Sequence, residues 1–474
     1  MKKPERFVGY VEYDQKEIPF EYDESRYELR LYPSKEQYAD YNSPQAFFKL
    51  FENTKEHKWI SIKKIHGRLS DNKNIIFGVR ETQGNFQGFI SHEVSWYYLY
   101  SEDSNIDMIS GVKFEGDTID YFYSPTNAIE ATLKFAPERT YVNKISVNSI
   151  ETEEKTMGIY RQRDELDVTT SITAYCNYKT DNYTDPISAQ SAIYADYSIV
   201  GSLDDVFSTC FVINLFLEFI SYRKNVAIKD AYTFTRSENG KRNICGILHF
   251  CNEVLTEKNT TKARKRIIRY KYMDSDSCGK LLTCLNQKLL KLDYVCESVD
   301  KRHHYSSARM IMILAEFERE FRNIFGQEAN RSEEFHNVKE LALSLFDELT
   351  NNSHGKQKTY VKELKKHLAN HDSSYSNNVK FAMTKYTDCL TPFVRRHYEG
   401  SVEENIDGIS SRIGTMRNGI AHNKLDFDFA PVHLADIKII EELIYVMRLI
   451  DVGVSEENCR HIINELFDEN IALS

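Results

Sequence analysis

Through the first half of the 474-residue chain, apolar and polar positions alternate with a period near two. WISIKKI (Trp59–Ile65), NIIFGVR (Asn74–Arg80), SWYYLY (Ser95–Tyr100), TIDYFY (Thr118–Tyr123), VTTSITAYCNY (Val168–Tyr178) and AIYADYSIV (Ala192–Val200) are short, aromatic and β-branched. That is the chemistry of half-buried strands. In the fifth segment Thr169, Ser171 and Thr173 alternate with Thr170, Ile172 and Ala174. Turn-like HGRLSDNKN and TQGNFQG separate some of the segments. Together they predict a β-rich domain, either a sandwich or a barrel-like sheet.

Near Leu203 the period lengthens. Val206, Phe207, Cys210, Phe211, Leu215 and Phe219 fall at helical steps, predicting a helix over residues 203–222 that covers the sheet. Residues 228–272 return to strand-like text and end in TEKNTTKARKRIIRYKY, with seven basic residues from Lys258 to Lys271. A solvated edge strand guarded by Lys and Arg is one reading of that strip, and phosphate contact is the other. From residue 277 onward the spacing is helical. Met310, Ile311, Ile313, Leu314, Phe317, Phe321 and Ile324 mark one amphipathic helix, and others are expected near 333–349, 357–370, 376–396, 402–421 and 433–451. Pro392 and Pro431 suit helix ends or starts. The chain therefore reads as α+β: a β-rich N-terminal domain (1–272), a helical connector (273–299) and an all-α domain (300–474).

Composition narrows the function. Hydrophobic residues at 41% and charged residues at 28% are ordinary for a globular protein and exclude global disorder. Lys+Arg is 61 against 71 Asp+Glu, a formal charge of −10, which argues against coating nucleic acid through the overall field. Nine cysteines, with no CxxC pair, support neither a disulfide framework nor a structural zinc and suit a reducing cytoplasm. The most apolar run, Phe211–Ile220, carries Asn214 and Glu218 and falls well short of the ~20 residues a bilayer requires. No membrane partner is expected. Phosphate-loop, dinucleotide-binding and nucleophile-elbow motifs are missing, and His92-Glu93 begins an HExx motif with Trp96 where a zincin needs His. No metal site and no cofactor is expected.

One stretch stands out as chemistry: IGTMRNGIAHNKLDF, Ile413 to Phe427. It holds Arg417, Asn418 directly after it and, with four residues between it and the arginine, His422. The Arg-x4-His spacing alone says little, since it recurs at Arg331 and His336, where Glu333 and Glu334 would repel a phosphate. Its context says more. Ile406, Ile409, Ile413, Met416 and Ile420 follow steps of three and four, an apolar seam suited to packing on another helix. Arg417 stands beside that seam, and Gly419 weakens continuation of the helix. The plain reading is an Arg417 ion pair with Asp407 or Asp426 and a His422 that suits the helix dipole. Lys424 is then a surface lysine, and the Lys356–Lys366 cluster a solvated helix face. The sharper reading gives Lys424 an RNA contact and the cluster part of a cleft's positive potential.

RNGIAH resembles the RNxxxH form of the signature of the HEPN superfamily, a small helical bundle, over residues 300–474. The following helix, with Ile437, Ile440, Ile444 and Met447 along one face, fits that layout. KKIHGRLSDNKNIIFGV (Lys63–Val79), the preceding GYVEYDQKEIPFEYDESRYELRLY and FLEFISYRKNVAIKD (Phe216–Asp230) resemble the β-rich N-terminal domain of ApeA-type HEPN proteins of bacterial anti-phage defence. The resemblance implies a metal-independent endoribonuclease of abortive infection, with structured RNA such as tRNA as its substrate class. Arg417 would be the phosphate and transition-state ligand, His422 the general acid/base, and Asn418 the residue that orients the pair. It also implies an N-terminal sensor that restrains the nuclease until a phage trigger arrives. The alternatives are a non-catalytic module that binds RNA or nucleotide or dimerises, and a toxin silenced by an antitoxin.

The chemistry agrees with that implication. RNA carries its own nucleophile, the 2′-hydroxyl. Imidazole exchanges protons near neutrality, and a guanidinium fork matches the charge that builds on phosphate oxygens. Five residues at ~100° each set Arg417 and His422 roughly 140° apart on an unbroken helix. Either the helix breaks at Gly419, or two subunits join their motifs across a twofold axis. The resemblance implies the second, a C2 dimer with a composite RNA cleft and the isoleucine seam as its apolar face.

Overall fold

A computed structural model describes residues 6–13, 15–36, 63–80, 89–102, 104, 106–136, 139–147, 154–178, 187–251, 257–326, 333–369, 374–421 and 430–473. The chain forms two compact units, one of Met1–Glu218 and Lys224–Lys258, the other of Phe219–Arg223 and Asn259–Ser474. Five residues of the first half, Phe219–Arg223, thus belong to the second unit.

The first unit is β-rich. Its strands are β1 (Arg6–Tyr13), β2 (Lys16–Asp23), β3 (Glu28–Leu31), β4 (Lys63–Leu69), β5 (Asn74–Val79), β6 (Ile90–Tyr100) and β7 (Ile109–Glu115). They continue with β8 (Ile129–Ala136), β9 (Arg139–Val147), β10 (Lys155–Arg163), β11 (Leu166–Tyr178), β12 (Ile187–Gly201), β13 (Asp230–Arg236) and β14 (Arg242–Phe250). β8 and β9 form a separate two-stranded sheet. The rest form one sheet in the order β10-β11-β12-β7-β13-β14-β6-β3-β2-β1-β4-β5.

β6 is the joint of that sheet. Its Ile90–Glu93 stretch pairs with β3, its Trp96–Tyr100 stretch pairs with β14, and β5 pairs along its other edge. Pairing with both β3 and β5 closes a six-stranded antiparallel barrel, which removes the exposed edges an open sheet would leave. Alternate side chains from its strands, among them Val11, Ile18, Phe20, Leu29, Ile65, Phe77 and Val94, fill the interior. A side-chain carbon at Gly78 would collide with the Trp96 indole, so glycine is required there for β5 to lie against β6.

Thr118–Tyr123, which alternates like a strand, is instead helix α1 (Asp117–Phe122). Asp117 and Asp120 sit in its first turn, where the helix dipole favours acids, and Thr118, Ile119 and Phe122 supply its buried side. Asp120 accepts a hydrogen bond from the backbone N–H of Ser191 at 2.6 Å. Burial, with Asp117 and Glu115 nearby, still pushes its carboxyl up to about 7. The folded group therefore holds a proton that the unfolded chain releases above its ordinary value. Stability is full below pH 4 and is lost as pH rises toward 7. Asp120→Asn keeps the acceptor oxygen and removes the titration. It is expected to flatten the fall in unfolding temperature between pH 4 and 7, measured by calorimetry, and to be the more stable protein at pH 8.

Helix α2 (Leu203–Ser221) matches the helical spacing. Within the first unit Phe207 packs edge-on to Trp96 at 4.7 Å, and Phe216 to Phe122 at 5.4 Å. Its start is fixed by Asp205, which accepts from Ser202 N–H at 2.9 Å and from Arg163 Nε at 2.7 Å. Arg163 chiefly, with Ser202, lowers that carboxyl to about 2.

The second unit is helical: α3 (Thr260–Lys265), α4 (Ser275–Asn286), α5 (Ser307–Phe325), α6 (Glu333–Asn352), α7 (Gly355–Ala369), α8 (Tyr375–Lys385), α9 (Thr387–His397), α10 (Val402–Ala421), α11 (Pro431–Asp451) and α12 (Glu456–Phe467). The basic strip is not an edge strand. Asn259 caps a short helix by accepting from Lys262 N–H, and Ala263, Ile267 and Ile268 are buried beneath the exposed cations. The single helix expected over 376–396 is two, parted at Tyr386. Pro431 opens α11 as expected, whereas Pro392 lies inside α9.

α11 is the hub. Ile437 to Leu449 is buried except for part of Lys438, and Asp436, Glu441 and Arg448 are placed against partners. Asp436 takes Arg412 at 2.7 Å, Glu441 takes Arg309 at 2.7 Å, and Arg448 takes Glu320 at 2.6 Å. Phe219–Arg223 belongs to this core: Phe219 stacks on Tyr445 at 4.6 Å, and the Tyr222 hydroxyl donates to Glu441. Among the described residues no helix is long and apolar enough to cross a membrane.

Candidate functional site

α10 carries the arginine of the motif. Its acidic first turn, Glu403 and Glu404, suits a helix start. Ile409, Ile413 and Met416 are fully buried and Ile406 nearly so. From Ile406 to Met416 the seam therefore packs inside its own unit, against neighbouring helices that include α8, and these described residues are not an apolar face open to a second subunit. α8 approaches closely enough that a side-chain carbon at Gly414 would collide with the Ser376 hydroxyl. Gly414→Ala is expected to be nearly neutral, because Ser376 can rotate and alanine favours the helix by up to ~1 kcal/mol. Gly414→Val forces the helices apart and is expected to cost about 1–3 kcal/mol in thermal unfolding.

The helix does not break at Gly419; α10 runs on to Ala421. Of the two geometries open to the motif, the broken helix is removed. Arg417 lies in the last turns of α10, where the partial negative charge of the helix end favours a cation. Its side chain is 40% exposed and reaches Glu318 of α5 through a single contact, Nη2 to Oε2 at 3.4 Å. Glu318 is shared, since its other oxygen takes Arg322 Nη2 at 2.7 Å. Tyr375, at the start of α8, lies close by and donates to the Leu314 carbonyl at 3.0 Å. Burial and the neighbouring Glu318 raise its phenol, so it stays protonated.

The ion pair expected at Asp407 is absent, because that carboxylate pairs with Lys380 at 2.6 Å. Asn418 is exposed beside Arg417. His422, Lys424 and Asp426 lie outside the described residues. The structure thus brings Arg417, Glu318, Arg322 and Tyr375 together from three helices. What this cluster offers chemically is a half-exposed guanidinium that, among the described residues, is oriented by one carboxylate and leaves part of its fork to take an anion. Glu318 was not foreseen from sequence. The available signal was its place on α5 at the flank of the Phe317–Phe321 face, four residues before Arg322.

Other polar clusters also escaped the sequence reading. The Glu442 carboxyl is fully buried, and burial together with Glu469 raises it well above the carboxylate range. Glu469 is paired with Arg396 at 3.2 Å. Two adjacent acids in the apolar run IIEELIY were the signal. A groove of about 630 Å³ lined by Arg395, His397, Tyr398 and Ser401 lies at the turn into α10, at the opposite end of that helix from Arg417. Among the described residues no group of His, Cys, Asp and Glu side chains is arranged to hold a metal ion. No family model, curated protein or solved structure matches this chain.

Proposed function

We propose that the chain is a metal-independent endoribonuclease of the HEPN type, acting in the cytoplasm in anti-phage defence. In this reading the 2′-hydroxyl of the substrate attacks the adjacent phosphorus. His422 moves the proton, and Arg417 takes the charge that builds on the non-bridging oxygens. Asn418 helps to orient the pair. The observation that supports it best is the state of Arg417: 40% exposed, held among the described residues by one carboxylate, and carried by an unbroken helix. An exposed pair of this kind contributes only ~0–1 kcal/mol, so a phosphate can compete for the guanidinium at small cost. The β-rich unit is the proposed sensor. Because α10 is unbroken as far as Ala421, a break at Gly419 does not bring the motif together, and in this reading a second copy completes the site.

The same Glu318 contact favours a second reading, in which Arg417 ties α10 to α5 in a non-catalytic RNA- or nucleotide-binding module. The two separate on incubation of purified chain with total RNA in excess chelator. The nuclease reading expects discrete fragments that accumulate with time, and intact RNA over hours favours the module.

A further inference from the structure

The α6–α7 hairpin leaves an apolar face without cover among the described residues. Val338, Leu341, Leu345 and Leu349 on α6 are between 51% and 65% exposed, and Tyr360 and Leu364 on α7 are 62% and 55% exposed. The steps of three, four and four along α6, and of four on α7, are those of residues that pack on another helix. At ~100° per residue the inward residues of each helix lie about 100° from its exposed stripe, and in an antiparallel hairpin both stripes then point the same way. They form one face. Single exposed leucines are ordinary, but a contiguous stripe on a surface marks a contact.

Charge identifies the partner. α6 carries five acidic residues (Glu333, Glu334, Glu340, Asp347, Glu348) against Lys339. α7 carries five lysines (Lys356, Lys358, Lys362, Lys365, Lys366) against Glu363. An acidic helix beside a basic one is complementary to a copy of itself turned over. With the twofold axis parallel to the helices, α6 of one chain lies on α7 of the other. With the axis across them, acid would face acid. α6 is ~30 Å long and the hairpin roughly 20 Å wide, so the two faces together bury on the order of 1,000 Å², where specific interfaces begin.

We infer that this hairpin joins two copies of the chain as an antiparallel four-helix bundle, with α6 of each on α7 of the other. The assignment is independent of the nuclease reading, and it supplies the twofold contact that the buried isoleucine seam does not.

The test reads mass in solution, with no RNA present. Full-length chain at tens of micromolar is expected to sediment as a dimer. Leu341→Glu/Leu345→Glu is expected to raise the dissociation constant at least ~100-fold while the unfolding temperature stays within a few degrees. Two charge-reversed chains sharpen the result: Glu334→Lys/Glu340→Lys/Glu348→Lys makes both helices basic, and Lys356→Glu/Lys362→Glu/Lys366→Glu makes both acidic. Each alone is expected to be monomeric, and their mixture to form a one-to-one dimer. A monomeric wild type, a leucine variant that still dimerises, or reversed chains that fail to pair would each overturn the inference. So would a monomer that pellets with anionic vesicles, which would give the stripe to a lipid surface instead.

Discussion

Arg417→Ala is expected to lower RNA cleavage by about 10²–10³ while leaving the unfolding temperature unchanged, because a charge-stabilising donor acts on the transition state. The two halves of that expectation have separate causes. The fold loses one exposed contact at 3.4 Å, and Glu318 keeps Arg322 as its partner. In the proposed reaction the loss is of the group that meets the dianionic phosphorane. Arg417→Lys keeps the charge without the planar fork and is expected to recover only part of the rate. Glu318→Gln is expected to act on position rather than charge: it frees the guanidinium, lowers kcat modestly and leaves RNA affinity the same or tighter. If Arg417→Ala melts early, the arginine is a strut between α5 and α10, and the non-catalytic reading gains.

Arg448→Ala is expected to be the most damaging single change to the helical unit, costing about 3–5 kcal/mol. Arg448 and Glu320 are both almost fully buried, and the guanidinium gives Nε and Nη2 to one Glu320 oxygen at 2.9 and 2.6 Å. Its Nη1 reaches Asp451 at 2.8 Å. Truncation leaves Glu320 without its partner in an apolar core, with Phe317 and Phe321 on its own helix, where it must either bear an unpaired charge or hold a proton that the unfolded chain releases. Even with its partner, burial pushes the Glu320 carboxyl up to about 7. A raised carboxyl contributes most at low pH, and that contribution is lost as pH rises through 7. The cost of Arg448→Ala should therefore be smaller at pH 5, where Glu320 can go neutral, than at pH 8. Arg448→Met/Glu320→Leu is expected to recover most of the loss. Denaturant midpoints of the three chains at the two pH values check this. Equal costs at pH 5 and 8 would count against a charged Glu320 as the cause.

The sequence was most legible where one period ran long. α2, α5 and α10 stand where their apolar steps placed them, and the α+β order follows from the switch of period near Leu203. Short segments misled. TIDYFY has the composition of a strand, but Gly116 and two acids in the first turn start a helix, and only the Ser191 contact, distant in sequence, shows why. The basic strip reads as the end of a strand-like stretch, with an edge strand as one of its two readings. Asn259, a cap, decided otherwise. For the site, Arg417 and its helix were legible and its partner was not, since nothing local ties residue 318 to residue 417.

One practical consequence concerns the restraint that the β-rich unit is proposed to exert. Deleting residues 1–270 would remove Phe219 and Tyr222, which pack on Tyr445 and Glu441 inside the helical unit. Such a truncation tests folding as much as release. A chain that keeps 219–223 tied to 259 onward tests release.

The most direct measurement is the chemistry of the RNA ends. Wild-type chain and the Arg417→Ala and His422→Ala variants are incubated with RNA in excess EDTA, and the termini are determined by phosphatase and ligase treatment and mass spectrometry. Attack by the 2′-hydroxyl with a guanidinium and an imidazole in attendance leaves 2′,3′-cyclic phosphate and 5′-hydroxyl ends in the wild type and almost none in either variant. Ends bearing a 3′-hydroxyl, or cyclic-phosphate ends that form equally fast without Arg417 and His422, would contradict it.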